Sequence, residues 1–436
     1  MRPGTILLTG LLLAAVAATP VAEDPRSSEW LALLPDGEAK RQFLLDCTGC
    51  HQFDSQVVRP NGQPRTREDF DAAVTRMLAF SGATSGFPVM GHERAAGPTA
   101  AWIAPLITKT PTAAARPSLP AGATITEYDL PEARDLAHDV AIDSSGSVIV
   151  TGMMTHEMLV LDTTTRRFSS IAIPVNRANP RAVEVDGRGN WWVVLGSPNA
   201  VAKFNAMTSR WEVHNVGMYA HSVALDAAGN AWVNGHFTKD PVKVTRIARD
   251  GTQTSFDLPR HPTLSRAPGG PIPYEIRVAP NGIVWVSELG GNRIVSLDPV
   301  TKRSRAFEMP MTHSGPRRFD IDRNGVLWIP AYSGNELLKF DPATGAFTRY
   351  ALPIRDGLPY VAKVDARRGV IWVGSGSADI VWSFDPATAR FTAYPLPSRG
   401  AMVRHMAIDG AGDVWIAYGA SPGRIPSRVA RLHPGR

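Results

Sequence analysis

The chain has 436 residues and a formal net charge of +6, and 44% of its residues are hydrophobic. This length predicts two domains, or one large β domain with an appendage. The mild positive charge is not concentrated in a long run of Lys or Arg, which argues against a nucleic-acid-binding protein.

The first 22 residues have the layout of a secretory signal peptide. One positive charge at Arg2 precedes an apolar run from Thr5 to Ala18, and small residues follow. The run is short for a membrane span, and a retained membrane anchor is the alternative interpretation. Cleavage after Ala18 or Ala22 would release a periplasmic or otherwise exported protein. We therefore expect no membrane span after signal cleavage.

The stretch LLDCTGCHQFD at 44–54 contains both cysteines of the chain, Cys47 and Cys50, with His51 directly after the second. A disulfide between them would close a very small loop and stabilise little. A structural zinc site would need a second ligand pair, and the chain has no further cysteine. C-x-x-C-H is the attachment motif of c-type haem, in which two thiols add to the vinyl groups and the following imidazole binds the iron. The motif therefore predicts haem c held by Cys47, Cys50 and His51, with His51 as an iron ligand.

The flanking sequence predicts a small all-α domain. One helix is expected from about residue 29 to 45, with a break at Pro35, and another begins at Thr66, where Asp69 completes a weak capping box. A third apolar stretch runs from 100 to 107. Four apolar residues of the middle helix share one face: Phe70, Val74, Met77 and Leu78. Residues 23–107 resemble a compact class of c-type cytochrome.

Two methionines compete for the sixth position on the iron, where a thioether suits a haem that only passes electrons. Met77 lies on the helix face predicted to be buried. Met90 lies in the loop SGFPVMGHE, where many small cytochromes keep their methionine. Cytochrome domains that this segment resembles carry a short Arg-Met at the end of the middle helix, which matches Arg76-Met77. We therefore expect Met77 as the ligand, with Met90 as the alternative and His92 as a third choice.

Residues 108–124 are rich in Pro, Ala and Thr without periodicity, which predicts a linker. Beyond them, phrases such as EYDLP, SFDLP and AFEMP recur about every 43 residues, each followed by an alternating strand, a Gly turn and a strand that usually contains Trp. Four antiparallel strands per repeat, seven times, predict a seven-bladed β-propeller over 125–436. The last repeat lacks its fourth strand, so the strand at about 125–130 should complete it and close the ring.

These repeats resemble the streptogramin B lyase (virginiamycin B lyase-like) family in their D-x-x-G-x-x-W hairpins and in N-R-I third strands, as in WVSELGGNRIVSLDP. In those lyases a catalytic His and glutamates that hold Mg²⁺ open a lactone by elimination. The resemblance implies His221 and Glu288 as candidate catalytic residues and Mg²⁺ as a possible cofactor. Tyr274 stands where the repeat of Glu288 would carry its His, so the candidate pair would have to meet across the channel.

One inner-strand position of every repeat should face the channel mouth. The residues at this position, which we call the ring, are His138, Arg181, His221, Tyr274, Arg317, Tyr360 and Arg404. Core packing would not select this set, although a solvated channel lining would also be polar. The arginines favour a cationic pocket for an anionic or carboxylate-bearing small molecule, with Glu288 as a further candidate contact.

Together these features predict an exported c-type cytochrome that exchanges electrons with a periplasmic redox partner protein. The propeller would then serve as a partner- or ligand-binding module. The alternative is a lyase-like enzyme that cleaves lactone or ester bonds by Mg²⁺-assisted elimination in the propeller channel.

Overall fold

The computed structural model describes residues 24–236, 241–264, 270–420 and 427–435. The expected signal peptide at 1–22 lies outside these residues. Within them the chain folds as a short helical region followed by a mainly β region. No helix in the described part is long and apolar enough to cross a membrane.

The helical region has five α-helices and one 3₁₀ turn: α1 (Ser27–Leu31), α2 (Glu38–Cys47), α3 (Ser55–Val58), Pro60–Gly62, α4 (Arg67–Ser81) and α5 (Ala96–Ile103). The expected break falls between α1 and α2. At the start of α4 the backbone N–H of Asp69 donates to Thr66 Oγ1 at 3.1 Å, and the N–H of Thr66 donates back to the Asp69 carboxylate at 3.0 Å. This is the predicted capping box, and it fixes where α4 begins.

The apolar face of α4 is only partly covered. Phe70 is 3% exposed, whereas Met77 is 44% exposed and Phe80 is 57% exposed. The expectation that Met77 lies on a buried face of α4 is therefore wrong. The spacing of apolar residues reports which side chains share a face, and it does not report what covers that face.

The β region consists of seven four-stranded antiparallel sheets, each of which is one blade. Blades one to three are β2 (Ala137–Ile142), β3 (Val148–Gly152), β4 (Glu157–Asp162), β5 (Arg167–Ala172); β6 (Pro180–Val185), β7 (Asn190–Leu195), β8 (Ala200–Asn205), β9 (Arg210–Asn215); and β10 (Ala220–Leu225), β11 (Ala231–Gly235), β12 (Lys243–Ile247), β13 (Gln253–Asp257). Blades four to six are β14 (Pro273–Val278), β15 (Val284–Glu288), β16 (Arg293–Leu297), β17 (Ser304–Glu308); β18 (Asp320–Ile321), β19 (Leu327–Ala331), β20 (Glu336–Asp341), β21 (Ala346–Ala351); and β22 (Pro359–Asp365), β23 (Val370–Ser375), β24 (Ile380–Asp385), β25 (Arg390–Pro395). The seventh blade is β26 (Val403–Ile408), β27 (Val414–Tyr418), β28 (Arg428–His433) and β1 (Thr124–Asp129).

The predicted seven-bladed propeller is confirmed, and so is its closure. Strand β1 pairs with β28, with Tyr128 opposite Val429, so the first strand of the β region completes the last blade. The innermost strands contact their neighbours around the ring and enclose a central channel. Closure leaves no blade missing its outer strand, which removes the free edge of an open array.

The repeated Asp, Gly and Trp build the turn between the first two strands of a blade. In blade three the indole Nε1 of Trp232 donates to Asp226 Oδ2 at 2.9 Å, and the same carboxylate accepts the backbone N–H of Asn230. Gly229 takes a φ of 77° in this turn, a conformation that favours glycine. Four other blades repeat the Trp–Asp bond, so the motif recurs because it holds each inner hairpin.

The helical region is seated on the propeller face where the innermost strands begin. Trp30 and Phe43 from the helices share one hydrophobic cluster with Tyr332 and Leu358 from the propeller. Lys40 of α2 forms a buried ion pair with Asp356 at 2.7 Å. The predicted linker runs without helix or strand until β1 begins, and Arg26 donates to its Ala114 carbonyl at 2.8 Å. The two parts of the described chain therefore pack together over a shared core.

Candidate functional site

The ring residues occupy equivalent places because each innermost strand bends there. In six blades the ring residue is the second residue of its strand, and the strand pairing shifts register at that point. In blade five Arg317 lies three residues before a shortened innermost strand, and Arg318 forms a bridge to Val361 of blade six. A β-bulge re-aims the side chain it carries and is common beside functional sites. Here the bulges turn the ring residues toward the channel axis.

All seven ring residues line one cavity of about 70 Å³ at the channel mouth. The helical region supplies the other side of this cavity through Leu45, Asp46, Gly49 and Cys50, and Phe87 from the loop after α4 also contributes. The structure therefore brings together the C-x-x-C-H motif and the ring, which the sequence shows as separate features. Each ring side chain is less than a tenth exposed.

Three neutral histidines occupy one side of this cavity: His138, His221 and His236. The Nδ1 atoms of His221 and His236 lie 3.0 Å and 2.6 Å from the carbonyl oxygens of Tyr274 and Pro273. Because a carbonyl oxygen only accepts, Nδ1 carries the proton in both rings. Burial lowers the pKa of His236 to about 3, and it lowers the pKa of His221 well below its usual value.

His138 of blade one follows the same pattern. Its Nδ1 lies 2.6 Å from the carbonyl oxygen of Arg181 and 2.9 Å from Asp139 Oδ1. Burial lowers the pKa of His138 to about 4, although Asp139 opposes the shift. All three imidazoles are therefore uncharged at neutral pH and contribute no positive charge to the cavity.

Tyr274 and Tyr360 share a short hydrogen bond between their hydroxyl groups, and the ring centre of Tyr274 lies 4.2 Å from that of His221. Arg317 Nη1 donates to the Tyr274 hydroxyl at 2.9 Å, and Arg404 Nη1 donates to that of Tyr360 at 3.2 Å. Burial raises the pKa of Tyr274. Burial also disfavours ionisation of Tyr360, but Arg404 and Arg317 outweigh it and lower the pKa of Tyr360 to about 8. Tyr360 is therefore the more acidic of the two hydroxyls.

The Cys47–His51 turn rests directly on the ring. Arg404 Nη2 donates to the Cys50 carbonyl at 2.6 Å, and its Nη1 donates to the Gly49 carbonyl at 3.2 Å. The Tyr332 hydroxyl donates to the Thr48 carbonyl at 2.8 Å. A Cβ on Gly49 would lie 2.7 Å from Arg317 Nη2, so a larger residue here would displace the Arg317 guanidinium. The propeller thus fixes the backbone of the turn between its two cysteines.

The residues expected to hold haem have the chemistry the motif needs. Cys47 ends α2, and both Cys47 and Cys50 are free, half-buried cysteines. His51 Nδ1 lies 3.0 Å from the Gln52 carbonyl oxygen, which places the proton on Nδ1 and the lone pair on Nε2. This is the tautomer that ligates iron through Nε2.

The three candidates for the sixth ligand lie in different surroundings. Met77 is exposed on α4, and Met90 is 3% exposed in the loop that follows. His92 Nε2 lies 2.9 Å from Gln42 Nε2 and 3.1 Å from the carboxylate of Asp46. The order Met77, Met90, His92 stays a prediction.

Of the two candidate lyase residues, His221 lines the cavity and Glu288 does not. His221 is bonded to the Tyr274 carbonyl and lines the cavity, whereas Glu288 is fully buried, forms an ion pair with Arg293 and is not among the lining residues. Among the described residues, no group of three or more His, Cys, Asp and Glu side chains is placed to hold a metal ion.

A second polar layer lies behind the ring, and the sequence analysis did not identify it. Arg318 forms an ion pair with Asp139 at 2.8 Å, and Arg277 forms one with Glu275 at 2.9 Å. Strand alternation predicts that Asp139, Glu275 and Arg318, each directly after a ring residue, point away from the channel. The sequence did contain a signal for this layer, because charged residues stand at strand positions that should pack against apolar neighbours. His236 was missed because it lies four residues after Trp232, outside the ring alignment.

No protein-family model matches the chain, and no curated protein matches its sequence significantly. The fold is similar to solved propellers. A streptogramin B lyase structure aligns with a TM-score of 0.62 at 17% identity, over 71% of this chain and 97% of the other. The virginiamycin B lyase from Staphylococcus aureus aligns with a TM-score of 0.62 at 16% identity, over 71% and 99%.

The hydrazine synthase of Kuenenia stuttgartiensis is a more distant neighbour. It aligns with a TM-score of 0.52 at 13% identity, over 66% of this chain and 94% of the other. At these identities the similarities show the fold alone, because propellers of one architecture carry unrelated chemistries.

Proposed function

We propose that this protein is an exported c-type cytochrome in which a propeller carries and orients the haem-binding region, residues 23–107. Cys47 and Cys50 would hold haem c covalently, and His51 would ligate the iron. The observation that carries the proposal is the C-x-x-C-H turn itself. It has two free cysteines at the end of α2 and its backbone bound by ring residues.

The partly covered face of α4 supports this assignment. Met77 and Phe80 are large apolar side chains that are 44% and 57% exposed in a helical region whose other large apolar residues are mostly buried. Such exposure in a folded protein marks a surface that something apolar covers. A haem macrocycle is flat and largely apolar, so a haem bound beside α4 would cover this face, and Met77 would be available as its sixth ligand.

The haem would supply reversible one-electron chemistry when bound, and the chain supplies its fixed surroundings. Arg404 and Tyr332 hold the carbonyls of Thr48, Gly49 and Cys50. The buried pair of Lys40 and Asp356 anchors α2 just before the motif. These contacts restrict motion of the attachment turn, and a rigid site suits electron transfer because little rearranges when the iron changes charge.

The propeller also limits what can reach the channel from this face. The Cys47–His51 turn and Phe87 lie across the mouth, and the cavity beneath them holds only about 70 Å³. Pockets for drug-sized ligands are several times larger. The channel mouth therefore suits a small ligand, and a redox partner protein would dock on another surface.

The lyase alternative stays a prediction without a supporting observation at the site. Glu288 is bound to Arg293, and His221 is bonded to the Tyr274 carbonyl. A lyase of this type would require the carboxylate to leave its arginine before it could help hold Mg²⁺.

The test is electron exchange by the purified, exported full-length protein. Its visible spectrum is recorded without oxygen before and after the addition of fractionated periplasmic extract. We expect one protein fraction to reduce the haem within the mixing time, and heat-denatured fraction to lose this effect. Covalent haem that no fraction reduces or oxidises would contradict the electron-transfer function.

A further inference from the structure

Six arginines are buried among the residues that the structure describes, and they fall into two classes. Three have carboxylate partners: Arg26 with Glu29 at 3.1 Å, Arg318 with Asp139 at 2.8 Å, and Arg293 with Glu288. The other three have no carboxylate partner in the described part of the chain: Arg181, Arg317 and Arg404. All three of the second class line the cavity beneath the Cys47–His51 turn.

The contacts that these three arginines do make are neutral. Arg404 donates to the carbonyls of Gly49, Cys50 and Gly419. Arg317 donates to the Tyr274 hydroxyl, and its Nε has no hydrogen-bond partner in the described structure although the residue is only 2% exposed. Its guanidinium carbon also lies 4.0 Å from the centre of the Tyr332 ring.

The third arginine of the class follows the same pattern. Arg181 donates to Asn179 Oδ1 at 3.1 Å and lies over the rings of Phe87 and Tyr219. Dipoles and aromatic faces compensate a cation less than a carboxylate does.

Other charges near the cavity do not alter this balance. Asp46 lines the cavity, but its carboxylate is bound by Arg94 at 2.8 Å. His138, His221 and His236 are neutral. Three positive charges therefore converge on one small cavity, and uncompensated buried charge is costly unless a counter-charge is present.

We propose that this cavity is a binding site for a small free oxyanion of carboxylate type, and that its occupancy is coupled to the charge of the haem held by Cys50. The coupling part rests on the proposed function. The small size of the cavity restricts the ligand to a few heavy atoms, and formate is the simplest carboxylate of this size. Arginine forks match such oxyanions because each presents paired N–H donors.

The coupling follows from position. The cavity is lined by Cys50, one of the two attachment residues, and Arg404 joins the ring to the carbonyl of Cys50 at 2.6 Å. An anion here interacts more favourably with a ferric centre than with a ferrous one, because the ferric state carries one more positive charge. Linkage then requires that the anion lower the midpoint potential by 59 mV for each tenfold preference for the oxidised state.

Two measurements on the full-length holoprotein test the two parts. Calorimetric titration with formate measures binding to the cavity. Formamide, which has the same shape without the charge, is the control ligand. Potentiometry with and without saturating formate measures how far the bound anion shifts the midpoint potential of the haem. We expect saturable binding of formate alone and a lower midpoint potential in its presence.

Variants assign the binding to the arginines. Arg317→Gln should weaken formate binding at least tenfold, and Arg317→Lys, which keeps the charge, should restore part of it. The matched control is Arg349→Gln, because Arg349 is an exposed arginine paired with Glu336. This control should bind formate as the wild type does.

The proposal has two parts, the anion site and its coupling to the haem, and each contrary result overturns one of them. Equal binding of formate and formamide, or full binding by Arg317→Gln, overturns the anion site. Binding without any change of potential overturns the coupling. If the holoprotein binds no formate while Arg317→Gln shifts the potential without added anion, the counter-charge is a haem propionate and a free anion is excluded. If the protein carries no haem, the proposed function fails, but calorimetry still decides the site.

Discussion

Arg404 Nη2 lies 2.6 Å from the backbone carbonyl oxygen of Cys50, which is 354 residues earlier in the chain. This contact joins the last blade of the propeller to the turn that carries the C-x-x-C-H motif. The sequence does not show that the two residues are partners. Their contact places the ring of the propeller directly against the Cys47–His51 turn of the helical region. The proposed function depends on this contact between the propeller and the helical region.

Met77 is expected to be the sixth iron ligand. Met77→Ala should convert the haem to a high-spin spectrum and lower its midpoint potential, because a thioether ligand raises the potential. Met90→Ala should change neither. Visible spectra and potentiometry of both variants check this, with Met207→Ala as the control, since Met207 is 90% exposed on the propeller. The reverse pattern would assign Met90, and no change in either variant would remove both.

The Lys40–Asp356 pair should contribute strongly to the attachment of the helical region. Both side chains are less than a tenth exposed and lie 2.7 Å apart, so Lys40→Met removes the nearer cation of a buried carboxylate and leaves it the half-exposed Arg355, whose Nε lies 3.7 Å away. We expect a loss of about 3–5 kcal/mol in chemical denaturation. The matched control is Lys243→Met, which breaks an equally short pair with Asp257 on the surface and should cost about 1 kcal/mol or less. Equal losses in the two variants would contradict the buried anchor.

Closure of the propeller depends on β1. Tyr128 on this strand is 7% exposed, and its ring centre lies 5.8 Å from that of Trp415 in the same blade. Tyr128→Ala should lower the free energy of unfolding by about 3 kcal/mol, since it leaves a cavity between the first and last strands of the region. Val300→Ala, at a position 88% exposed, should change it by less than about 0.5 kcal/mol. An unchanged Tyr128→Ala protein would show that β1 is not needed for closure.

Tyr360 should titrate near pH 8. Burial opposes its ionisation, but Arg404 and Arg317 outweigh burial and lower its pKa to about 8, below the usual tyrosine value. Its other close neighbours are Tyr274, Tyr332 and Arg318, of which the two tyrosines have raised pKa values because they are buried. Ultraviolet difference spectra should show one tyrosine ionising near pH 8, and Tyr360→Phe should remove this step.

The same shift has a defined sign for stability and for binding. Because the folded pKa of Tyr360 lies below the unfolded value, the unfolded chain binds more protons between about pH 8 and 10, and stability should gain from rising pH in that window. Formate binding should weaken over the same rise, because a tyrosinate at Tyr360 neutralises part of the arginine charge. Tyr332→Phe is the control and should keep the step near pH 8. If the ultraviolet spectrum of the wild type showed no tyrosine ionisation below pH 10, this would contradict the lowering of the Tyr360 pKa by Arg404 and Arg317.

Much of the fold can be predicted from local sequence because it is set by local contacts that repeat. The turn of Asp226, Gly229 and Trp232 forms within one hairpin, so its pattern is visible in the sequence of each blade. The capping box of Thr66 and Asp69 is equally local. The incomplete last repeat predicted closure because a propeller blade needs a fourth strand.

The rest of the site depends on contacts that no local pattern reports. The bulge in the innermost strand of blade one interrupts the simple alternation of side chains, so alternation alone does not predict the ion pair of Asp139 with Arg318. The seat of the helical region on the ring depends on pairs hundreds of residues apart, such as Arg404 with Cys50. The exposure of Met77 depends on what covers α4, which the spacing of apolar residues does not specify.

The most direct test of the central claim is the intact mass of the exported full-length protein under denaturing conditions, measured together with its alkaline pyridine spectrum. The account predicts the mass of the processed chain plus one haem, a c-type pyridine spectrum, and loss of both in the Cys47→Ser/Cys50→Ser variant. A chain that carries no haem, from cells that load a known c-type cytochrome in the same experiment, would contradict it.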